Sequence, residues 1–263
     1  MSPYWAVLGA RIRTLLQYRA AALAGLVTQF FWGGIRVMVF MAFYRSTTAP
    51  QPMDLSETIS YLWLTQALLL LLPFRLDADL RAMMRDGSVA YELVRPTDLY
   101  WLWYARAVAQ RFAPALLRAV PLYLVAWLFL GLQLPPNLGA AAAFGISLAG
   151  ALLLSAAIST LMTITMMWTI SGEGIWRLLS ILTMFLSGSF VPLPLFPDWS
   201  QPLLAVQPFR GVMDTPFRLY IGHLPAAGVL LNLGHQLVWT GIFVLVGRLI
   251  LARGVTRLVV QGG

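Results

Sequence analysis

No cysteine occurs in the 263 residues. That excludes a disulfide framework, a thiolate metal site and a cysteine nucleophile. Lysine is missing too, so all 18 basic residues are arginine. A P-loop, whose GxxxxGK[ST] sets a lysine on the phosphates, is therefore excluded. Charge of either sign is scarce, at 11% of residues against 59% hydrophobic, and the mean hydropathy is +0.76. A soluble domain carries roughly 25% charged residues. This chain lacks the polar surface that water demands, so lipid must be part of its solvent. No acid lies deep in an apolar run, which counts against proton or sodium coupling. His223 and His235 have no carboxylates at ligand spacing, and no metal site is expected. Leu186-Ser187-Gly188-Ser189 has the look of a serine-hydrolase elbow, but no acid completes a triad with either histidine. The chain is not expected to be an enzyme.

What is present is apolar and long. About 20 apolar residues cross the hydrocarbon, and on that rule six spans are expected near 21–44, 58–74, 108–132, 139–168, 175–192 and 227–251. The expected fold is all-α and polytopic, a single transmembrane domain over 1–263. The net charge of +8 sits beside these runs, a positive-inside pattern and not a nucleic-acid surface. Arg11, Arg13, Arg19, the 75–111 segment, Arg177, Arg253 and Arg257 fall on one side, against Arg45, Arg210 and Arg218 on the other. Both termini are then cytoplasmic, in the inner (plasma) membrane. The first apolar run begins near Ala20 without a convincing cleavage site, so it reads as a retained span. Ahead of it, Trp5, Leu8, Ile12, Leu15 and Leu16 share one helical face. Residues 1–20 therefore suit an interfacial helix. The alternative is a cytoplasmic extension of the first span.

Residues 75–111 hold 11 of the 28 charged side chains. Asp77, Arg81 and Arg85 recur at helical spacing, with Asp ahead of Arg in the favourable order. Leu76, Leu80, Met83 and Met84 form an adjoining apolar face. Gly87 stops that helix and Pro96 ends the next piece. A short amphipathic helix below the membrane can set its apolar side into a partner groove. The alternative is a solvated loop that only enforces topology. On the opposite side, 191–225 contains seven prolines and is still largely apolar. Short re-entrant or interfacial helices over 192–225 reconcile those two properties; a surface loop with belt aromatics is the alternative.

Arg36 lies inside the first span, with Gln29 two turns earlier and Gly33 and Gly34 beside it. An arginine at a span centre costs roughly 2.5–3.5 kcal/mol on insertion scales. Such a residue is expected to face a subunit interface or a substrate path, with glycines permitting close helix contact. Snorkelling to the outer headgroups is the alternative.

The order of these features resembles the permease subunits of ABC-2-type ABC transporters, and in particular the uncharacterised ABC-2 family transport permease branch. Two stretches carry the resemblance. One is Asp86-Gly87-Ser88-Val89-Ala90-Tyr91-Glu92-Leu93-Val94-Arg95-Pro96. The other is Leu186-Ser187-Gly188-Ser189-Phe190-Val191-Pro192-Leu193 with Phe196-Pro197-Asp198-Trp199 and then Pro208-Phe209. The resemblance implies a separate ABC ATPase in two copies, carrying ATP and Mg, and a second permease copy or a paralogue. It implies export through a path at a subunit interface, lined by spans one, two and five. It makes 75–107 the coupling loop, with Arg81, Arg85, Asp86, Gly87, Glu92 and Arg95 assigned to coupling. Glu173, in the turn Ser171-Gly172-Glu173-Gly174, becomes a second, smaller contact; the alternative there is a turn with one charge. Gln29, Gly33 and Arg36 are assigned to the path or interface. No cofactor is expected on this chain. The apolar, aromatic lining suits a hydrophobic or amphipathic substrate such as a lipid, drug or peptide. A stand-alone secondary transporter or channel is the other reading.

Overall fold

The computed structural model describes residues 3–17, 19–74, 77–93, 96–168 and 173–255, and among them every regular element is helical. Helix α1 (Pro3–Gln17) lies against α6 (Leu99–Phe129). It rests there through Tyr4 and Val7 and leaves Trp5 exposed. Helix α2 (Arg19–Ser46) follows, then α3 (Leu55–Ala67). A capping box starts α3: Asp54 accepts from the Glu57 N–H at 2.7 Å and Glu57 accepts from the Asp54 N–H at 2.9 Å, so two orphan donors are met reciprocally. Protein surrounds α3, with α2, α6 and α10 (Asp214–Tyr220) packed on it and Tyr61, Leu62, Trp63 and Leu64 all buried. The polar side chains buried with them are hydrogen-bonded, as Thr65 is to the Tyr61 carbonyl at 2.9 Å and Ser60 to the Gln133 N–H at 2.9 Å, which is what burial of a polar group requires.

Two short helices, α4 (Ala78–Arg85) and α5 (Ala90–Leu93), precede α6. Helix α7 (Leu138–Thr165) is the centre of the bundle, with α6, α10 and α11 (Val229–Val255) on it. Small residues on α7, among them Ser147, Gly150 and Ala151, let α11 approach closely. Gln236 of α11 fills that seam, donating to the Ser147 carbonyl at 3.0 Å and to the Gly211 carbonyl at 2.7 Å. A Cβ on Gly150 would run into the Gln236 amide.

Among the described residues, four helices are long and apolar enough to cross a membrane: Gly25–Ser46, Leu99–Phe129, Leu138–Thr165 and Ala226–Val255. The chain is an all-α, multi-pass membrane protein. The expected spans at 58–74 and 175–192 are not single long helices. Helix α3 has 13 residues and breaks at Leu68 before a 3-10 turn at Leu69–Leu71. Helix α8 (Glu173–Leu186) has 14 residues, about 21 Å at 1.5 Å per residue against a hydrocarbon core of about 30 Å. Gly188, at φ +82°, and Pro192 stop it. The proline-rich segment then runs through short turns, α9 (Gln201–Val206) and α10. Val212, Met213 and Phe217 of this segment are buried in the main core and Leu193 is buried too, whereas Trp199, Leu203 and Val206 face outward. The third expected span starts early, at Leu99, because Asp98 caps the helix by accepting from the Trp101 N–H.

Candidate functional site

Two places collect the polar chemistry: a knot where the 77–93 segment meets α6, and a cavity beside α2. The knot is built around Arg106 of α6. Its Nε donates to Asp77 at 2.9 Å, and Glu92 (3.5 Å) and Asp79 (3.5 Å) complete the ring of carboxylates. Asp77 is at the same time the N-cap of α4, accepting from the N–H groups of Asp79 and Leu80. Glu92 accepts from the Trp103 indole at 2.7 Å. Asp77, Glu92 and Arg106 are all buried. Buried charge persists where it is paired and hydrogen-bonded, as it is here.

Outer members attach further helices. Arg11 of α1 meets Asp79 at 2.6 Å, and Tyr4 accepts from the Asp98 N–H at 3.0 Å. Arg248 of α11 meets Asp98 at 2.8 Å. Beneath these contacts Leu80, Val89, Tyr100, Trp103 and Leu251 form a second apolar core, with Met83 and Met84 packed against it. The loop is thereby keyed to α1, α6 and α11 as one body.

Three sequence expectations need correction here. Asp77 does not share an exposed face with Arg81 and Arg85; it caps α4 and turns inward to Arg106. The apolar face of α4 is filled by its own chain, so it is not open to a partner groove. Glu92, expected at the docking surface, is buried in the knot. The face that does look outward carries Asp79, Ala82, Asp86, Gly87 and Tyr91, the last 74% exposed. Asp86 accepts from the Ser88 N–H at 2.9 Å, and its bonds to Ser88 hold its carboxyl below the usual value. Gly87, at φ +77°, has open space around it. Arg81 is half-buried. Arg85 closes α4 and Glu173 opens α8, both with side chains outside the described set; Arg95 lies outside the described residues.

The second place is a cavity of about 210 Å³ between α2, α3 and α8, whose lining includes Gln29, Trp32, Arg36, Gln66 and Phe190. Arg36 donates through one nitrogen to the carbonyls of Ser189 (2.5 Å) and Phe190 (2.9 Å), just beyond the end of α8. Cationic charge is favourable at that end of a helix dipole. Gln29 is buried and donates to the Gln66 carbonyl at 3.0 Å. Gly33 does not line the cavity: a Cβ there would collide with the Trp63 ring, so it seats α2 on α3 within the chain. Behind the cavity the Asp214 N–H donates to the Ser187 carbonyl at 3.1 Å, and Tyr61 donates to the Asp214 carboxylate at 3.1 Å.

A family model described as ABC-2 family transporter protein matches residues 30–262. The chain belongs to the ABC-2 transporter family. No curated protein and no solved structure matches it. Membership makes it a membrane permease of an ABC transporter and implies association with an ABC ATPase.

Within this ABC-2 permease the structure brings Arg36 and the Leu186–Leu193 motif together across 153 residues. It also joins the Asp77 and Glu92 ends of the charged loop through Arg106. Sequence reasoning missed Arg106, Trp103 and Tyr91. Arg106 follows the Asp98 cap by two helical turns, and that cap was the signal that α6 begins early enough to carry it.

Proposed function

We propose that the chain is the membrane-spanning half of an ABC exporter, driven by a separate ATPase that docks on the outward face of α4 and α5. The observation that carries this reading is the Arg106 knot. A docking loop that only tethered a partner could hang freely. This one is fixed by buried ion pairs and an apolar core to α1, α6 and α11, so a push on Asp86, Gly87 and Tyr91 would move those helices together. Arg81, Arg85 and Arg95 add cationic charge to the same loop, and Glu173 supplies the smaller contact at the start of α8.

The transporter carries two ATPase copies, which hold ATP and Mg, and a second permease copy or a paralogue. This chain contributes no hydrolytic residue. Six crossings follow if α3 with its 3-10 extension, and α8 with the re-entrant segment, each complete a passage; the arginine distribution then leaves both termini in the cytoplasm. Helix α1 lies in the inner interface with Trp5 toward the headgroups. The path runs beside α2, α3 and α8 and takes a hydrophobic or amphipathic cargo.

A stand-alone ion-coupled transporter would have Asp214 as its natural acid, since that side chain is buried. Its bonds to Tyr61 and Arg218 already satisfy it, so this reading is the weaker one. Purifying the tagged chain from its native membranes separates the two. Stoichiometric recovery of an ABC ATPase supports the exporter, and transport activity by the purified chain with no ATPase present contradicts it.

A further inference from the structure

We infer that the cavity between α2, α3 and α8 is a binding site for the anionic headgroup of an amphiphile, with Arg36 as its counter-charge. That the amphiphile is cargo rests on the permease reading above; the anion site itself rests on geometry.

The first observation is the position of Arg36. It stands 17 residues after Arg19 and ten before Ser46 in α2, about 25 Å and 15 Å from the two ends at 1.5 Å per residue. That is well inside an apolar helix, away from both ends. Its protein partners are the Ser189 and Phe190 carbonyls, both reached by one nitrogen, and among the described residues no carboxylate pairs with it. A guanidinium carries five N–H donors in a planar fork that fits a carboxylate or phosphate through two parallel bonds. Two carbonyls at a helix end satisfy part of that fork and offset only a fraction of its charge.

The second observation is Gln29, also on the cavity wall. Its residue is 4% exposed, its amide nitrogen is committed to Gln66, and its amide oxygen has no donor. A buried acceptor left unmet in an apolar setting is costly, and a hydroxyl or amide N–H on a bound headgroup would meet it. Cation and acceptor sit two turns apart on one helix, about 10 Å along its axis, a span the arginine side chain shortens.

The third observation is the shape. At about 210 Å³ the cavity is smaller than the roughly 300–1,000 Å³ of pockets that bury a whole drug-sized ligand, which suits a headgroup and not a whole lipid. Its remaining wall is apolar, with Leu69 and Met184 inside and Trp32 and Phe190 exposed at the rim. A tail leaves past those two rings. The chemistry required is therefore a phosphate or carboxylate head carrying a hydrogen-bond donor, on an apolar tail.

The test uses the full chain purified in neutral detergent with whatever subunits accompany it, titrated with dodecyl phosphate and laurate. Dodecanol, dodecyltrimethylammonium and inorganic phosphate are the controls. The expected result is saturable binding of the two anionic amphiphiles, weakened about tenfold by Arg36→Gln and largely kept by Arg36→Lys. Dodecanol and the ammonium bind weakly, and inorganic phosphate neither binds nor competes. Unchanged affinity in a folded Arg36→Gln chain overturns the inference, and so does tight binding of inorganic phosphate alone, which would make this a free-anion site. Trp32→Ala is the second variant, at an exposed position where folding is not at stake; affinity equal to wild type there overturns the cavity assignment even where Arg36→Gln does not fold. Anion binding without ATPase recovery leaves the site standing and removes its role as cargo site. ATPase recovery without anion binding does the reverse.

Discussion

The Arg106 guanidinium and the Asp77 carboxylate meet at 2.9 Å, both nearly excluded from solvent, from either side of the charged loop ahead of α6. Asp77 caps α4 with one oxygen and receives Arg106 on the other. One side chain thus sets the start of the loop helix and ties it to α6. Arg106→Ala leaves Asp77 and Glu92 buried and unpaired, a change of about 3–5 kcal/mol against the fold. Asp77→Asn keeps an acceptor for the cap and is milder than Asp77→Ala, which loses the cap as well, worth about 1 kcal/mol. Thermal melting in one neutral detergent ranks all three, and equal midpoints for Arg106→Ala and wild type would contradict the knot.

The Arg11–Asp79 contact is of another kind. Its carboxylate is 59% exposed, so the pair is screened and contributes at most about 1 kcal/mol. Arg11→Ala is expected to lower the melting point only slightly, and the shift should shrink further in high salt.

Gly188 and Gly87 share a left-handed backbone and differ in their surroundings. An alanine at either costs about 1–2 kcal/mol for the conformation alone. At Gly188 the new methyl also meets the Tyr61 hydroxyl and Leu193, adding about 1–3 kcal/mol of overpacking. At Gly87 it meets open space. Gly188→Ala should therefore lower the melting point clearly more than Gly87→Ala; the opposite ranking would mean that the break after α8 is not under packing constraint.

The legible part of this chain was set by periodicity and by punctuation. The apolar runs, the helix ending at Gly87 and the proline-broken segment ahead of α11 all depend on residues within a few positions of one another. Asp77 misled the reading because i, i+4 spacing places it beside Arg81, whereas its cap geometry turns it toward a residue 29 positions on. Glu92 looked like a surface charge because nothing local reveals that Trp103 and Arg106 fold back over it. The apolar face of α4 was visible as a face, but a sequence does not say whether a face is covered by its own chain or by another. Arg36 was singled out as a span residue expected to face a subunit interface or a substrate path; that it donates to the carbonyls of the Ser189-Phe190 stretch required the two halves of the chain to be brought together.

His223 gives the loop ahead of α11 a pH signature. Burial first, and the neighbouring Arg218 charge second, hold its pKa below the ordinary value of 6.5. The folded state then favours the neutral ring. Its contribution to stability is complete above about pH 6.5 and is lost as pH falls through the folded pKa. Melting points measured from pH 7.5 down to pH 5 should decline for wild type and decline less for His223→Gln. Parallel profiles for the two proteins would rule out His223 as the titrating group.

The central claim is that the outward face of α4 and α5 docks the ATPase. Its most direct test is recovery of the ATPase with the tagged chain from native membranes, with and without Asp86→Arg plus Tyr91→Ala. Both positions are exposed, so the variant should insert and melt within about 0.5 kcal/mol of wild type. The account predicts that wild type brings down an ABC ATPase and that the folded variant brings down at least about tenfold less. Equal recovery by the folded variant would contradict it and move the docking surface away from this loop.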